Sequence, residues 1–116
     1  MQTKRVVVTG IGCLTPLGNN LNDYWNGLIN GVSGADMITL FDASKFRTKF
    51  ACEVKNFDPT EYVDRKEARK MDRFTQLAIA ASDQAISDAG LNKDNIDPDR
   101  SGVVLGSGIG GLTTFQ

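Results

Sequence analysis

Three short apolar runs along the chain predict β-strands. Residues 5–9 form a β-branched run that closes on glycines 10 and 12, and residues 101–105 form a second run. Runs that are apolar on both sides are typical of strands covered on both faces, as in α/β proteins. In residues 50–54 apolar side chains occupy alternate positions, which predicts a further strand.

Helical spacing appears in three places. Apolar side chains recur every three or four residues over 21–30, where Trp25 is interpreted as the core anchor of the helix. Asp58-Pro59 predicts a short helix through about residue 63, with aspartate as cap and proline at the first position. The longest predicted helix covers 71–89, capped by Asp72.

Small residues mark one side of that long helix. Its predicted apolar stripe consists of Phe74, Ala78, Ala81, Ala85 and Ala89. Alanines on a buried stripe let another backbone approach closely, so the helix is expected to pack deep in a layered fold. The order of elements is strand, helix, short strand, short helix, long helix and strand, which indicates the α/β class.

The composition of the chain argues against several classes of protein. The 116 residues have a formal net charge of -1, so no overall charge attracts nucleic acid or an anionic membrane. The longest apolar stretches span only a few residues, far fewer than the roughly 20 needed to cross a bilayer. The first strand begins without room for a signal peptide. A cytoplasmic protein of bacterial type is the expectation.

The chain has no histidine and two cysteines, Cys13 and Cys52. The lack of histidine excludes a Ser-His or Cys-His nucleophile pair and a His-ligated metal site within these residues. Both cysteines are interpreted as small, buried, reduced side chains. No metal and no cofactor are predicted.

A glycine-rich loop follows the last predicted strand. Gly106, Gly108 and Gly111 match the G-x-G-x-x-G pattern of dinucleotide-binding loops. Such a loop must lead into a helix N-terminus and be followed about 20 residues later by an acidic residue. The sequence stops before either feature, so a tight strand exit and a nucleotide site remain alternatives.

Five basic residues lie within nine positions: Arg65, Lys66, Arg69, Lys70 and Arg73. On a continuous helix they share one face, with Glu67 and Asp72 pointing elsewhere. Such a face is either a solvated helix surface or a docking site for an acidic partner. Few aromatic residues accompany it, so nucleic acid is a poorer partner.

Three segments in this order resemble the β-ketoacyl-[acyl-carrier-protein] synthases, most closely the synthase II branch of these thiolase-like condensing enzymes. They are residues 5–18, residues 65–74 and residues 106–111. The resemblance covers residues 1–116 as an N-terminal segment, an incomplete domain. It implies two similar α/β halves stacked as αβαβα layers, a homodimer, and decarboxylative Claisen condensation of acyl and malonyl thioesters.

The resemblance also assigns residues. Lys66, Arg69 and Lys70 match the positions that dock the acidic acyl carrier protein, and Ile109 matches the residue that lines the acyl pocket. The family's nucleophilic cysteine and two histidines lie beyond Gln116, so no catalytic residue is assigned and the segment alone is expected to be inactive. The rivals are a non-catalytic chain-length-factor relative, an NAD(P)-dependent reductase that uses the glycine loop, and a basic adaptor without a pocket.

Overall fold

The computed structural model describes residues 3–112, and the chain divides into two compact units. One unit is Cys13–Asp58, and the other combines the first segment, up to Gly12, with the chain from Pro59 onward. Each unit has its own helices.

The unit Cys13–Asp58 begins with a turn and a helix. Thr15 and Gly18 pair their backbones across the turn, and helix α1 (Leu21–Ile29) follows. Asn20 caps α1 by accepting a hydrogen bond from the backbone N–H of Asp23 at 2.9 Å. The predicted helix is confirmed. The interpretation of Trp25 as a core anchor is wrong, because its side chain is 59% exposed.

A two-stranded antiparallel sheet completes this unit. Strand β1 (Asp36–Met37) pairs with β2 (Phe50–Ala51), so the predicted strand at 50–54 exists but is shorter. Beyond β2, Glu53 accepts hydrogen bonds from Thr39, at 2.7 Å from the hydroxyl and 3.1 Å from the backbone N–H. The Thr39 hydroxyl is the main reason that the pKa of Glu53 lies below its usual value.

The second unit contains three consecutive helical elements. They are a 3-10 helix (Pro59–Glu61), a single turn of helix α2 (Arg65–Ala68) and the long helix α3 (Arg73–Asp88). Gly90, with φ of +64°, lies just after the end of α3, where a left-handed glycine commonly terminates a helix. Asp72 is the N-cap residue of α3 by position, but its side chain makes no capping hydrogen bond, which corrects that expectation.

Close backbone packing against the alanines of α3 is confirmed. A Cβ atom added at Gly10 would lie 2.7 Å from the Cβ of Ala89, and one added at Gly12 would lie 2.7 Å from the backbone nitrogen of Ala85. Ile11 between them donates its N–H to the Asp88 carboxylate at 2.9 Å. Glycine is therefore required here so that the first segment can lie on the helix.

The predicted strands at 5–9 and 101–105 are not paired within the described residues. The one sheet in residues 3–112 joins β1 and β2, and the apolar side chains of the two other segments are largely exposed, with Val6 at 90% and Val104 at 98%. A strand requires a hydrogen-bonded neighbour, and neither segment has one here. Helices and a small sheet fit the α/β class, whereas residues 3–112 show no stacked layers.

Candidate functional site

The basic segment, residues 65–73, does not form one continuous helix. Helix α2 ends at Ala68 with Arg69 as its C-cap residue, and α3 begins at Arg73. The expectation that all five basic residues share one helical face is therefore wrong. Lys70 lies in the link between the two helices. Asp64 caps α2, accepting a hydrogen bond from the backbone N–H of Lys66 at 2.8 Å.

The charges of the segment are exposed, and Lys70 is paired with a carboxylate. In the described part of the chain, neither Lys66 nor Arg69 makes an ion pair. Lys70 contacts the Glu67 carboxylate at 2.8 Å, which corrects the expectation that Glu67 points elsewhere. Exposed pairs of this kind contribute little to stability. Lys66 and Arg69 are thus the more available charges for an acidic surface.

Sequence reasoning overlooked Gln76, on the first turn of α3. Its amide nitrogen donates to the backbone carbonyl oxygens of Ala68, at 2.8 Å, and of Met71, at 3.3 Å. Ala68 is the last residue of α2 and is only 4% exposed. A polar glutamine in the first turn after a helix break is the sequence feature that points to such a contact, because the last carbonyls of a helix need donors.

The glycine loop, residues 106–111, contacts the beginning of α3. A Cβ atom on Gly110 would lie 2.7 Å from the Phe74 ring, and one on Gly111 would lie 2.8 Å from the Asp72 carboxylate. Gly111 has a φ of +82°, a conformation that favours glycine. Ile109, at the tip, is 77% exposed.

The N-terminal end of α3 therefore connects the two candidate regions. Gln76 holds the basic segment from one side, while Asp72 and Phe74 contact the glycine loop. The Asp72 carboxylate beside Gly111 gives this loop a negative neighbour, which disfavours a phosphate group there. The helix that a reductase requires after the loop falls on residues 113–116, outside the described residues.

A cavity of about 430 Å³ lies between α3 and the segment that leads into the glycine loop. Ile79 and Ile86 of α3 form one wall, and Val103 and Leu105 form the other. Its lining is mostly apolar, which suits a hydrocarbon better than a charged ligand. Ile109 is not among the residues that line it.

The two cysteines differ in environment. Partial burial raises the pKa of the Cys13 thiol, whereas Cys52 is exposed, which corrects its interpretation as a buried side chain. Among residues 3–112, no group of three or more Cys, Asp or Glu side chains is arranged to hold a metal ion. No helix in this range is long and apolar enough to span a bilayer.

A solved structure shares this fold. The ishigamide ketosynthase/chain length factor superimposes with a TM-score of 0.71 and 39% sequence identity, over 78% of this chain and 22% of that chain. The fold thus belongs to the class of thiolase-like ketosynthases.

Sequence comparison identifies the family. Residues 3–116 match the profile described as "Beta-ketoacyl synthase, N-terminal domain", and the chain belongs to the β-ketoacyl synthase family. It is 52% identical over 116 residues to 3-oxoacyl-[acyl-carrier-protein] synthase 2 of Synechocystis sp. and to that of Vibrio harveyi, and 48% identical over 115 residues to that of Staphylococcus aureus. The chain spans 28% of the length of each of these relatives.

Family membership confirms the resemblance seen in the sequence and overrides the reductase alternative. It also implies a thiolase-like fold for the protein. The assignments of Lys66, Arg69, Lys70 and Ile109 rest on the resemblance and on their surroundings, so they stay predictions.

Proposed function

We propose that this chain is the N-terminal part of a 3-oxoacyl-[acyl-carrier-protein] synthase that elongates fatty acyl chains. The observation that carries the proposal is 52% identity over the whole chain to two relatives with that name. In the complete enzyme the layered αβαβα fold and a homodimer are expected. Partner strands would then cover residues 5–9 and 101–105, which accounts for their exposed apolar side chains.

The reaction is a decarboxylative condensation. An acyl group is first transferred from its carrier to a cysteine thiolate, forming an enzyme thioester. Malonyl-carrier protein then loses CO₂, and the resulting carbanion attacks the thioester carbonyl. A carbon–carbon bond forms, the cysteine thiolate leaves, and 3-oxoacyl-carrier protein is released. The cysteine and two histidines that do this chemistry are assigned to the part of the enzyme that follows Gln116.

This chain contributes recognition. Lys66 and Arg69 bind the acidic carrier protein through exposed charges that form no ion pair in the described residues. Lys70 adds a third charge, which is partly neutralised by Glu67. Charges at the rim of an interface act chiefly on the rate of encounter. Ile109 supplies an apolar wall for the acyl chain, because the glycines beside it leave its side chain prominent.

The reaction is tested with the complete enzyme, acyl-carrier protein and malonyl-carrier protein. Formation of 3-oxoacyl-carrier protein with release of one CO₂ per product is expected, measured by mass spectrometry and radiolabelled CO₂. Release of CO₂ without condensation would contradict a synthase. It would instead support the chain-length-factor alternative.

Docking is tested by charge reversal. Lys66→Glu combined with Arg69→Glu is expected to lower kcat/KM for acyl-carrier protein by about 10- to 100-fold at low salt, and by less at high salt. Lys93→Glu combined with Arg100→Glu makes the same change of charge elsewhere in the unit and serves as the control. Equal losses in both double variants, or no loss in the first, would refute the docking assignment.

A further inference from the structure

We infer that Gln76 is a positioning residue for carrier docking, an inference that rests on the proposed function of Lys66, Arg69 and Lys70. The amide nitrogen of Gln76 donates to the carbonyl oxygens of Ala68 and Met71, at 2.8 and 3.3 Å. Arg69 and Lys70 are the two residues between them in sequence, so one side chain holds both ends of this dipeptide.

The basic segment needs such support because its own helix is very short. Helix α2 has four residues, and a single turn is not stable in isolation. Asp64 caps its first turn. At its end, the Ala68 carbonyl accepts only a long hydrogen bond from the backbone N–H of Met71, at 3.3 Å, and Gln76 adds a shorter one at 2.8 Å. The basic side chains are exposed and cannot fix the backbone that carries them. Gln76 belongs instead to α3, a helix of 16 residues, and ties the short turn to this longer element.

The chemistry of the amide fits this role. An amide NH₂ group has two donors, and the structure directs it at two carbonyl acceptors. The side chain is half-buried, so these hydrogen bonds are partly shielded from water. Without them, Arg69 and Lys70 would sample more conformations, and docking would have to order them at the moment of encounter.

A positioning role for Gln76 and a direct charge contact by the basic residues predict different responses to mutation and to salt. Gln76→Met removes the donors and keeps a side chain of similar length, without changing the net charge. We expect KM for acyl-carrier protein to rise about three- to tenfold, with kcat nearly unchanged. The salt dependence should stay close to that of the unmodified enzyme, whereas charge reversal at Lys66 and Arg69 should reduce it.

The experiment measures formation of the acyl-enzyme in the complete protein, with the same acyl group presented on carrier protein or on coenzyme A. Gln76→Met should impair loading from carrier protein and leave loading from coenzyme A within about twofold. Gln84→Met is the matched control, since it makes the same change on the same helix and removes a 3.1 Å hydrogen bond to the Tyr62 hydroxyl. It should affect neither substrate selectively.

Each result decides a specific point. Equal impairment with both acyl donors would overturn positioning and indicate general damage. If charge reversal impairs loading from carrier protein while Gln76→Met does not, the inference fails and the docking site stands. If neither does, docking itself fails and the inference with it. Should Gln76→Met not fold, Gln76→Asn keeps the amide but shortens the side chain, and the same carrier-selective rise in KM is expected.

Discussion

Two glycine clusters contact the same helix, α3, yet their surroundings differ. Around Gly10 and Gly12 there is no room even for a methyl group, because the backbone of α3 lies opposite them. Around Gly106 and Gly108 a Cβ atom would meet no heavy atom within 4 Å, and the neighbouring Ile109 is 77% exposed. The first cluster lets the backbone of the first segment pack closely on α3, whereas the second leaves the Ile109 side chain exposed. Composition alone does not distinguish these uses.

The largest expected loss of stability comes from adding a side chain to a glycine of the first cluster. Gly12→Val should destabilise the protein by about 3 kcal/mol or more, because the opposing atoms include the backbone of Ala81 and Ala85 and cannot rotate away. Gly108→Ala is the control and should change stability by no more than about 0.5 kcal/mol. Urea denaturation followed by far-UV circular dichroism measures both. Similar losses would mean that the clusters do not differ in packing.

A side chain added to the second cluster at Gly110, where the loop contacts α3, should destabilise the protein less. A Cβ atom on Gly110 would lie 2.7 Å from the Phe74 ring, which is a side chain at the edge of the helix and can move. Gly110→Ala is expected to cost about 1–2 kcal/mol. Combining it with Phe74→Leu should recover part of the loss, and a double-mutant cycle measures the coupling. Strict additivity would show that the contact is not the cause.

The anchoring hydrogen bond of the first cluster gives a smaller effect. Asp88 lies in the last turn of α3, where a negative charge opposes the helix dipole, so its bond to the Ile11 N–H has to outweigh that cost. Asp88→Ala should destabilise by roughly 0.5–1 kcal/mol in urea denaturation. Asp83→Ala, on the same helix, should be neutral within about 0.5 kcal/mol. A more stable Asp88→Ala protein would contradict the anchoring role.

Sequence periodicity predicted the helices well, since α1 and α3 carry regular apolar spacing and begin after polar cap positions. It also placed the start of the long helix near Asp72, as observed, but it did not predict that α2 ends at Ala68 and leaves Lys70 in a link. That link is supported by hydrogen bonds from Gln76, a residue outside the basic segment. Periodicity also indicated strands at 5–9 and 101–105, but pairing depends on partners that no local pattern contains.

The same reasoning located the candidate site only in part. The glycine loop and the basic segment were both recognisable from residue types, and their assignments to an acyl pocket and a carrier came from the resemblance. Their common contact with the start of α3 was not predictable. It depends on Phe74 and Asp72 approaching glycines that lie more than 30 positions further along the chain.

The smallest effect on stability and the most specific effect on function are expected at Ile109. Its side chain is exposed in this unit, so Ile109→Phe should change the free energy of unfolding by no more than about 0.5 kcal/mol.

In the complete enzyme the larger ring should shorten the acyl chains that are accepted, and Ile109→Ala should extend them. Leu112→Phe, at a neighbouring exposed position, is the control. Chain-length profiles of the products, measured by mass spectrometry, separate the alternatives. An equal shift of the profile in Leu112→Phe, or no shift in Ile109→Phe, would contradict the pocket assignment. The second cluster would then be a loop that only packs on α3. The two clusters would differ in how closely they pack and not in what they do.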